Sequence, residues 1–133
     1  MEKRVLFISG SLGMGHVTRD LAIARALRSR KPEIEIMWMA AHPANIAIQE
    51  AGERLLPERF SWADETAVAE NAADGFRLKV LKYVFNIRKV WAAHLDVFRQ
   101  VINDERFELI IGDETYEIAI ALTAKKLLLD IPL

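Results

Sequence analysis

The residues best suited to chemistry lie in a glycine-rich stretch directly after an apolar run. Residues 9–20 read SGSLGMGHVTRD and contain three glycines, one histidine and one arginine. Glycines at the start of a helix leave backbone N–H groups uncovered, and such groups bind anions or sugar oxygens. A tight strand-to-helix turn is the structural alternative, although one glycine would serve it. The predicted ligand-contacting residues of this loop are Ser11, Gly13, Met14 and Gly15.

The glycine spacing approaches two phosphate-binding motifs and completes neither. Gly10 and Gly15 have the spacing of the NTPase phosphate loop, but His16 replaces its lysine and Val17 its metal-binding hydroxyl. The dinucleotide fingerprint is GxGxxG, whereas Gly10, Gly13 and Gly15 give GxxGxG. The second predicted strand also ends without the acidic residue that would bind a ribose. The pattern therefore favours neither nucleotide loop.

His16 is the candidate general base. It falls in the first turn of the predicted helix, where the positive end of the helix dipole disfavours a second positive charge. We therefore expect a neutral imidazole, which can accept a proton near neutral pH. Such a base needs a partner that orients the ring through its other nitrogen.

The composition describes one globular domain without a charge bias. The chain has 133 residues, 52% of them hydrophobic and 28% charged, with a net charge of −1, so no overall field favours nucleic acid. The absence of cysteine excludes disulfides and thiolate metal sites. No apolar run has the length of a secretory signal or a membrane span, which favours a cytoplasmic protein. No metal is expected, because no histidine has metal-ligand spacing to the glutamates, namely Glu33, Glu35, Glu65 and Glu70.

Short apolar runs alternate with helical patterns along the chain. The predicted strands are Arg4–Ser9, Ile34–Ala40, Arg54–Pro57 and Phe107–Gly112, and the predicted helices are Gly15–Arg30, Pro43–Ala51, Gly75–Glu105 and Glu114–Leu129. This alternation predicts an α/β fold with a doubly wound parallel sheet, Rossmann-like, in three αβα layers. Residues 60–74 have no clear period and are predicted as a loop. Asp130–Leu133 is typical of the opening of another strand, so we expect residues 1–133 to form a single domain at the N-terminal end of a longer protein.

The predicted topology provides a partner for His16. In a doubly wound sheet of order 3-2-1-4-5, strands one and four are neighbours, and ligands bind beyond their carboxyl ends. The loop after strand one carries His16, and strand four ends at Asp113 and Glu114. Two residues nearly 100 positions apart are thus expected side by side. A plain helix N-cap is the alternative role for Asp113, and the two roles are compatible.

The stretch SGSLGMGHVTRDLAIARAL resembles the first loop and helix of GT-B glycosyltransferases, which use nucleotide sugars. It is most similar to the lipid-linked N-acetylglucosaminyltransferases, family 28 type, whose loop reads GxGGHxxP; Arg19 stands where that family has proline. The resemblance implies that this chain is the acceptor-binding N-terminal half and that a C-terminal domain binds the UDP-sugar. In the plant-type UDP-glycosyltransferase branch, a histidine of this loop is the general base and an aspartate after a later strand orients it. The resemblance therefore implies these roles for His16 and Asp113.

Further candidates surround this edge of the sheet. Arg19 lies one helical turn after His16 and is predicted either to reach an anionic acceptor or to remain a surface arginine. His42 follows the second strand and is a candidate for acceptor contact, as is Glu114. Residues 76–91 carry bases and aromatic residues without an acid; they are consistent with peripheral membrane contact or with a core helix that has a solvated lysine face. The predicted helix Gly75–Glu105 has an apolar stripe at alternating spacings of four and three, which is expected to be buried against a sheet: Val80, Val84, Ile87, Trp91, Leu95, Phe98 and Ile102. An RNA-binding role is disfavoured because the aromatic residues are predicted to lie on this buried face.

Two functions remain open at the level of sequence. The first is sugar transfer from a nucleotide-sugar donor to an acceptor hydroxyl, with no cofactor and with the isolated chain inactive. The second is a non-enzymatic α/β binding module whose glycine loop holds a small anion. A second α/β unit downstream of Leu133 would favour the transferase.

Overall fold

A computed structural model describes residues 3–10, 14–57, 62, 73–74, 77–78 and 80–133 of the chain. Its elements are β1 (Lys3–Ser9), α1 (Met14–Arg30), β2 (Ile34–Ala40), α2 (Ala44–Glu50), β3 (Arg54–Leu55), β4 (Ala73–Asp74), β5 (Arg77–Leu78), α3 (Val80–Asp104), β6 (Leu109–Gly112) and α4 (Tyr116–Thr123). The predicted binding residues Ser11 and Gly13 lie outside the described residues, as does most of the predicted loop 60–74.

Four parallel strands form the sheet that positions the candidate site. Their order is β3-β2-β1-β6, and helices flank the sheet, which is consistent with a Rossmann-like α/β fold. In register, Val5 of β1 pairs with Ile36 of β2 and Leu109 of β6. The prediction that the first and last of the four strands are neighbours is confirmed. Beyond β6, the Ile110 N–H donates to the Pro132 carbonyl at 2.9 Å, so the end of the chain continues the sheet by one hydrogen bond.

Alternate residues of β1 belong to two separate hydrophobic clusters. Val5 and Phe7 pack with side chains of α1 and α2, whereas Leu6 and Ile8 pack with side chains of α3 and α4. All four are at most 3% exposed. Full burial of such a side chain contributes about 1.5–3 kcal/mol, so apolar packing on both sets of residues holds β1 in the middle of the sheet. The Phe7 ring stacks on Trp38 of β2, with their centroids 4.4 Å apart.

Helix α4 is shorter than the sequence pattern predicts. The prediction was Glu114–Leu129, but the helix begins at Tyr116 and ends at Thr123. Its N-cap residue is Thr115, so the alternative role of Asp113 as the helix N-cap is wrong. Lys125 has φ of 56°, and the Lys125 and Lys126 N–H groups bond back to the Leu122 and Ala121 carbonyls at 3.0 and 2.9 Å. This Schellman arrangement usually has glycine at the left-handed position, so a lysine there gives no sequence signal.

Helix α3 begins later than predicted, and its first turns are not buried. A short antiparallel pair replaces the end of the predicted loop with β4 and the start of the predicted helix with β5, so the helix starts at Val80 instead of Gly75. Val80 and Val84, predicted on the buried stripe, are 62% and 44% exposed, and the prediction that the aromatic residues are buried is wrong for Phe85, which is 63% exposed. The first buried residue of the helix is Ile87. The apolar stripe is therefore longer than the part of the helix that is buried. In the part of the chain that the structure describes, no helix combines the length and the apolar character needed to cross a membrane.

Candidate active site

The candidate site lies at the carboxyl edge of the sheet, where β1 and β6 end. His16 lies in the first turn of α1, which follows β1, and Asp113 directly follows β6. The Asp113 N–H donates to the Ile8 carbonyl at 2.9 Å, which ties the end of β6 to β1. Because both strands run in the same direction, the side chains after them meet at one edge.

The imidazole of His16 contacts two carboxyl groups. Its Nδ1 is 2.8 Å from Oδ2 of Asp113, and its Nε2 is 3.3 Å from Oε1 of Glu114. The side chains of His16 and Asp113 are 30% and 21% exposed, so a ligand has access to the pair. The structure thus brings together His16, Asp113 and Glu114; their catalytic and binding roles stay predictions.

Arg19 joins the same cluster from α1. Its Nη2 atom lies 2.5 Å from Oδ2 of Asp113 and 2.9 Å from Nδ1 of His16. The hydrogen bond to Asp113 raises the pKa of Arg19 above its ordinary value. Burial raises the pKa of Asp113, but hydrogen bonds from His16 and Arg19 outweigh burial and leave that pKa below its ordinary value. Asp113 is therefore a carboxylate held in its charged form by two donors.

The tautomer of His16 decides what the cluster can do. With the proton on Nδ1, the ring donates to Asp113, and Nε2 keeps a lone pair that can accept a proton. With the proton on Nε2, Arg19 donates to Nδ1, and Nε2 faces Glu114. Asp113 thus favours the tautomer that a general base requires, whereas Arg19 and Glu114 favour the other.

Glu114 explains why the first glycine of the loop is required. A Cβ atom on Gly10 would collide with the Glu114 side chain, whose own Cβ would be only 2.9 Å away. Glu114 adopts φ of 58°, and its Oε2 atom is buried without a hydrogen-bond partner among the described residues. The glycines of the loop were interpreted as exposing backbone to a ligand, but the group that approaches Gly10 is the side chain of Glu114, from the loop after β6.

Asp20 is a member of the site that the sequence analysis missed. Its Oδ2 accepts a hydrogen bond from the Ser9 hydroxyl at 2.6 Å, and the residue is only 1% exposed. Burial raises the pKa of Asp20, and the nearby charge of Asp113 adds to this effect. A signal was present, since Asp20 stands between Val17 and Leu21 on the apolar face of α1, where an acid requires a reason.

The remaining predicted residues lie apart from the cluster. Met14 is 46% exposed at the start of α1, and a Cβ on Gly15 would meet no atom within 4 Å, so both border open space. His42 is exposed after β2, and no hydrogen bond or ion pair connects it to the described residues of the cluster. Within the described ranges, no group of three or more histidine, aspartate or glutamate side chains is arranged to hold a metal ion.

A second histidine–carboxylate pair lies in the core. Nδ1 of His94 on α3 is 2.8 Å from Oε1 of Glu117 on α4, and both residues are at most 3% exposed. Trp62 stacks on the His94 ring with centroids 3.9 Å apart. The pair therefore joins α3 to α4 where no ligand reaches it.

The site has to be interpreted from its own geometry. No protein-family model matches the chain, and no curated protein is similar to it.

Proposed function

We propose that the chain is the N-terminal, acceptor-binding domain of a GT-B glycosyltransferase. The complete enzyme moves a sugar from a nucleotide-sugar donor, such as a UDP-sugar, to an acceptor hydroxyl, and a second domain holds most of the donor. The observation that carries the proposal is the 2.8 Å contact between His16 Nδ1 and Asp113 Oδ2, two residues 97 positions apart that meet at the edge where doubly wound folds bind ligands. The two hydrophobic clusters that share alternate residues of β1 support the three-layer arrangement.

In the proposed reaction, His16 activates the acceptor. Its Nδ1–H donates to Asp113, and Nε2 takes the proton of the acceptor hydroxyl while that oxygen bonds to the anomeric carbon of the sugar. The bond from that carbon to the nucleotide diphosphate breaks, and the diphosphate leaves with the electron pair. Asp113 stabilises the imidazolium that forms, because it remains a carboxylate.

Arg19 and the open start of α1 provide the surroundings of the acceptor. Arg19 is 56% exposed at its side chain, so an anionic group of an acceptor has access to it. Met14 and Gly15 border open space on the same turn of the helix. We place the acceptor hydroxyl between this surface and His16.

A module that only binds a small anion is the weaker alternative. Backbone N–H groups at the start of α1 would attract an anion, but the carboxyl groups of Asp113 and Glu114 lie at the same edge. The Asp113 carboxyl group already holds the guanidinium of Arg19, the cation on the first turns of α1. This electrostatic arrangement disfavours a dedicated anion site.

Peripheral membrane contact through residues 76–91 belongs to the same proposal. Leu81 and Phe85 are 88% and 63% exposed, and Nζ of Lys89 lies 4.7 Å from the centroid of the Phe85 ring. Exposed apolar side chains next to bases fit the interface of an anionic bilayer. Replacing Leu81 and Phe85 by serine is expected to reduce cosedimentation with phosphatidylglycerol vesicles at least several-fold, whereas Ile120→Ser, an exposed change on α4, is expected to leave it unchanged.

Transfer assays test the central proposal. The open reading frame that contains this chain is expressed and incubated with radiolabelled nucleotide sugars and with hydroxyl acceptors, both lipid-linked and soluble. We expect transfer of one sugar, together with its loss in the His16→Ala variant. Absence of transfer from every donor, with phosphate bound tightly by the chain alone, would favour the anion-binding module.

A further inference from the structure

Asp20 occupies an unusual position for an acid. It is 1% exposed, beside Val17 and Leu21, on the face of α1 that packs against the sheet. A carboxyl group in such surroundings is costly unless its oxygens are hydrogen-bonded. The Ser9 hydroxyl donates a hydrogen bond to Oδ2 at 2.6 Å. Nε of Arg19 lies 3.9 Å from Oδ1, which is too far for a hydrogen bond. The second oxygen therefore needs another partner.

Asp113 is the carboxyl group placed to be that partner. One guanidinium lies against both acids, since Nη2 of Arg19 is 2.5 Å from Oδ2 of Asp113 and its Nε is 3.9 Å from Oδ1 of Asp20. Both acids are also held at the end of β1, because the Ser9 hydroxyl donates to Asp20 and the Asp113 N–H donates to the Ile8 carbonyl. Two carboxyl groups this close share a proton, because two adjacent negative charges repel. Asp113 already accepts from His16 and Arg19, which stabilise its charged form, whereas Asp20 is buried. The proton therefore belongs on Asp20, which donates to Asp113.

We propose that Asp20 is a positioning residue for the His16–Asp113 pair. Its carboxyl group, anchored by the Ser9 hydroxyl at the end of β1, donates a hydrogen bond that aims the Asp113 carboxylate at Nδ1 of His16. The charged groups that face this arrangement are Arg19 from α1 and Glu114 from the loop after β6, and both favour the opposite tautomer of His16. Asp20 thus shifts the balance towards the tautomer with a free Nε2. The catalytic consequence rests on the proposed function; the tautomer itself does not.

Nitrogen-15 NMR of the histidine rings in the chain tests this proposal directly. Spectra are recorded at a pH above which the ring-nitrogen shifts no longer change, so that they report the ratio of the two neutral tautomers of His16. Asp20→Asn retains a donor for Asp113, so the ratio should match that of the parent chain. Asp20→Ala removes the donor, and the share of the Nδ1–H tautomer relative to the Nε2–H tautomer should fall several-fold.

Two further variants separate positioning from loosened packing. Leu21→Ala weakens α1 next to Asp20 without touching a carboxyl group, and the ratio should stay at the parent value. Ser9→Ala removes the anchor of Asp20 and should shift the ratio in the direction of Asp20→Ala by a smaller factor, which remains measurable if Asp20→Ala does not fold. The proposal would be overturned if Asp20→Ala or Ser9→Ala kept the tautomer ratio of the parent chain. It would also be overturned if Leu21→Ala lowered the share of the Nδ1–H tautomer as much as Asp20→Ala does.

The positioning role of Asp20 and the proposed function can be refuted independently of each other. The tautomer ratio needs no sugar, so a ratio that depends on Asp20 in a protein without transferase activity would refute the enzyme and leave the positioning role intact. If the enzyme is active, Asp20→Ala should lower kcat several-fold with little change in the KM for the donor, whereas Asp20→Asn should stay near the parent value.

Discussion

Two histidine–carboxylate pairs in this chain share one geometry and differ in their surroundings. In each pair, Nδ1 of the histidine is 2.8 Å from a carboxylate oxygen. The side chains of His16 and Asp113 are 30% and 21% exposed, whereas those of His94 and Glu117 are 1% and 2% exposed. The same hydrogen bond is therefore open to a ligand at the edge of the sheet and sealed from solvent in the core.

The neighbours of the two rings strengthen this contrast. Glu114 and Arg19 lie on either side of His16 and favour the tautomer opposite to the one that Asp113 favours, and a ligand has room to join them. His94 instead lies under Trp62 within an apolar cluster, and Oε2 of its partner Glu117 has no hydrogen bond to the described residues. A hydrogen-bonded histidine is therefore a candidate base when a ligand can reach the ring and other charged groups contact it. A carboxylate partner alone is not sufficient.

The largest expected effect is the loss of turnover in His16→Ala. In the complete enzyme, turnover should fall about 10²–10⁴-fold, the usual range for a positioned general base. Affinity for the donor should hardly change, because the proposed function assigns donor binding to a second domain, and steady-state kinetics with the radiolabelled donor separate the two parameters. An equal loss in a His94 variant that remains folded would remove the distinction between the pairs.

Changes to the buried pair, His94 and Glu117, should alter the free energy of unfolding. His94→Ala leaves the Glu117 carboxyl group buried without its partner, which typically costs ~3–5 kcal/mol. The double change His94→Leu with Glu117→Leu should be less harmful, because it removes both polar groups. Urea unfolding followed by circular dichroism measures both variants, and a double variant that is less stable than His94→Ala would contradict the interpretation.

Asp113→Asn should produce a smaller loss of turnover than His16→Ala. Asparagine has nearly the same size and shape as aspartate, and Asp113 lies outside the N-cap position of α4, which is Thr115, so the fold should persist. The pKa of Asp113 is lowered in the folded chain, so its charge contributes stability above the ordinary aspartate value, and that contribution is lost as the pH falls through the folded pKa. Asp113→Asn should therefore flatten the acid limb of a plot of unfolding free energy against pH. An unchanged acid limb would mean that His16 and Arg19 do not stabilise the carboxylate.

The smallest effect concerns Asp20→Asn. Burial raises the pKa of Asp20, so the folded state favours its protonated form, and stability falls as the pH rises above the ordinary aspartate value. Asparagine cannot lose that proton. The variant should gain stability relative to the parent with increasing pH, by an amount on the order of 1 kcal/mol or less. Urea unfolding at several pH values measures this difference, and a difference that shrinks with increasing pH would contradict the raised pKa.

Several features of the fold were readable from local patterns. Strand Ile34–Ala40 has the predicted bounds, because a buried parallel strand is a short apolar run between turn residues. Helix α2 stops at Gly52 as predicted, and that glycine has φ of 75°. The shortened α4 was not readable, since Lys125 carries no signal for the left-handed conformation that it adopts.

The first turns of α3 illustrate the other limit of sequence patterns. Val80 and Val84 continue an apolar stripe that is regular in sequence, but burial depends on what lies opposite the stripe. Only the tertiary structure shows that the packed part of the helix begins near Ile87. Periodicity predicts a helix and its apolar face, and not the length over which that face is covered.

The sequence alone determined the alternation of strands and helices, and with it the edge at which His16 and Asp113 come together. Both follow from local patterns and from the rule that parallel strands end on the same side. Only the tertiary structure shows that Glu114 requires Gly10, that Arg19 competes for Nδ1 of His16, and that Asp20 is held by Ser9 beside Arg19. Those contacts depend on distances of 2–4 Å between side chains far apart in the chain, and no local preference determines them.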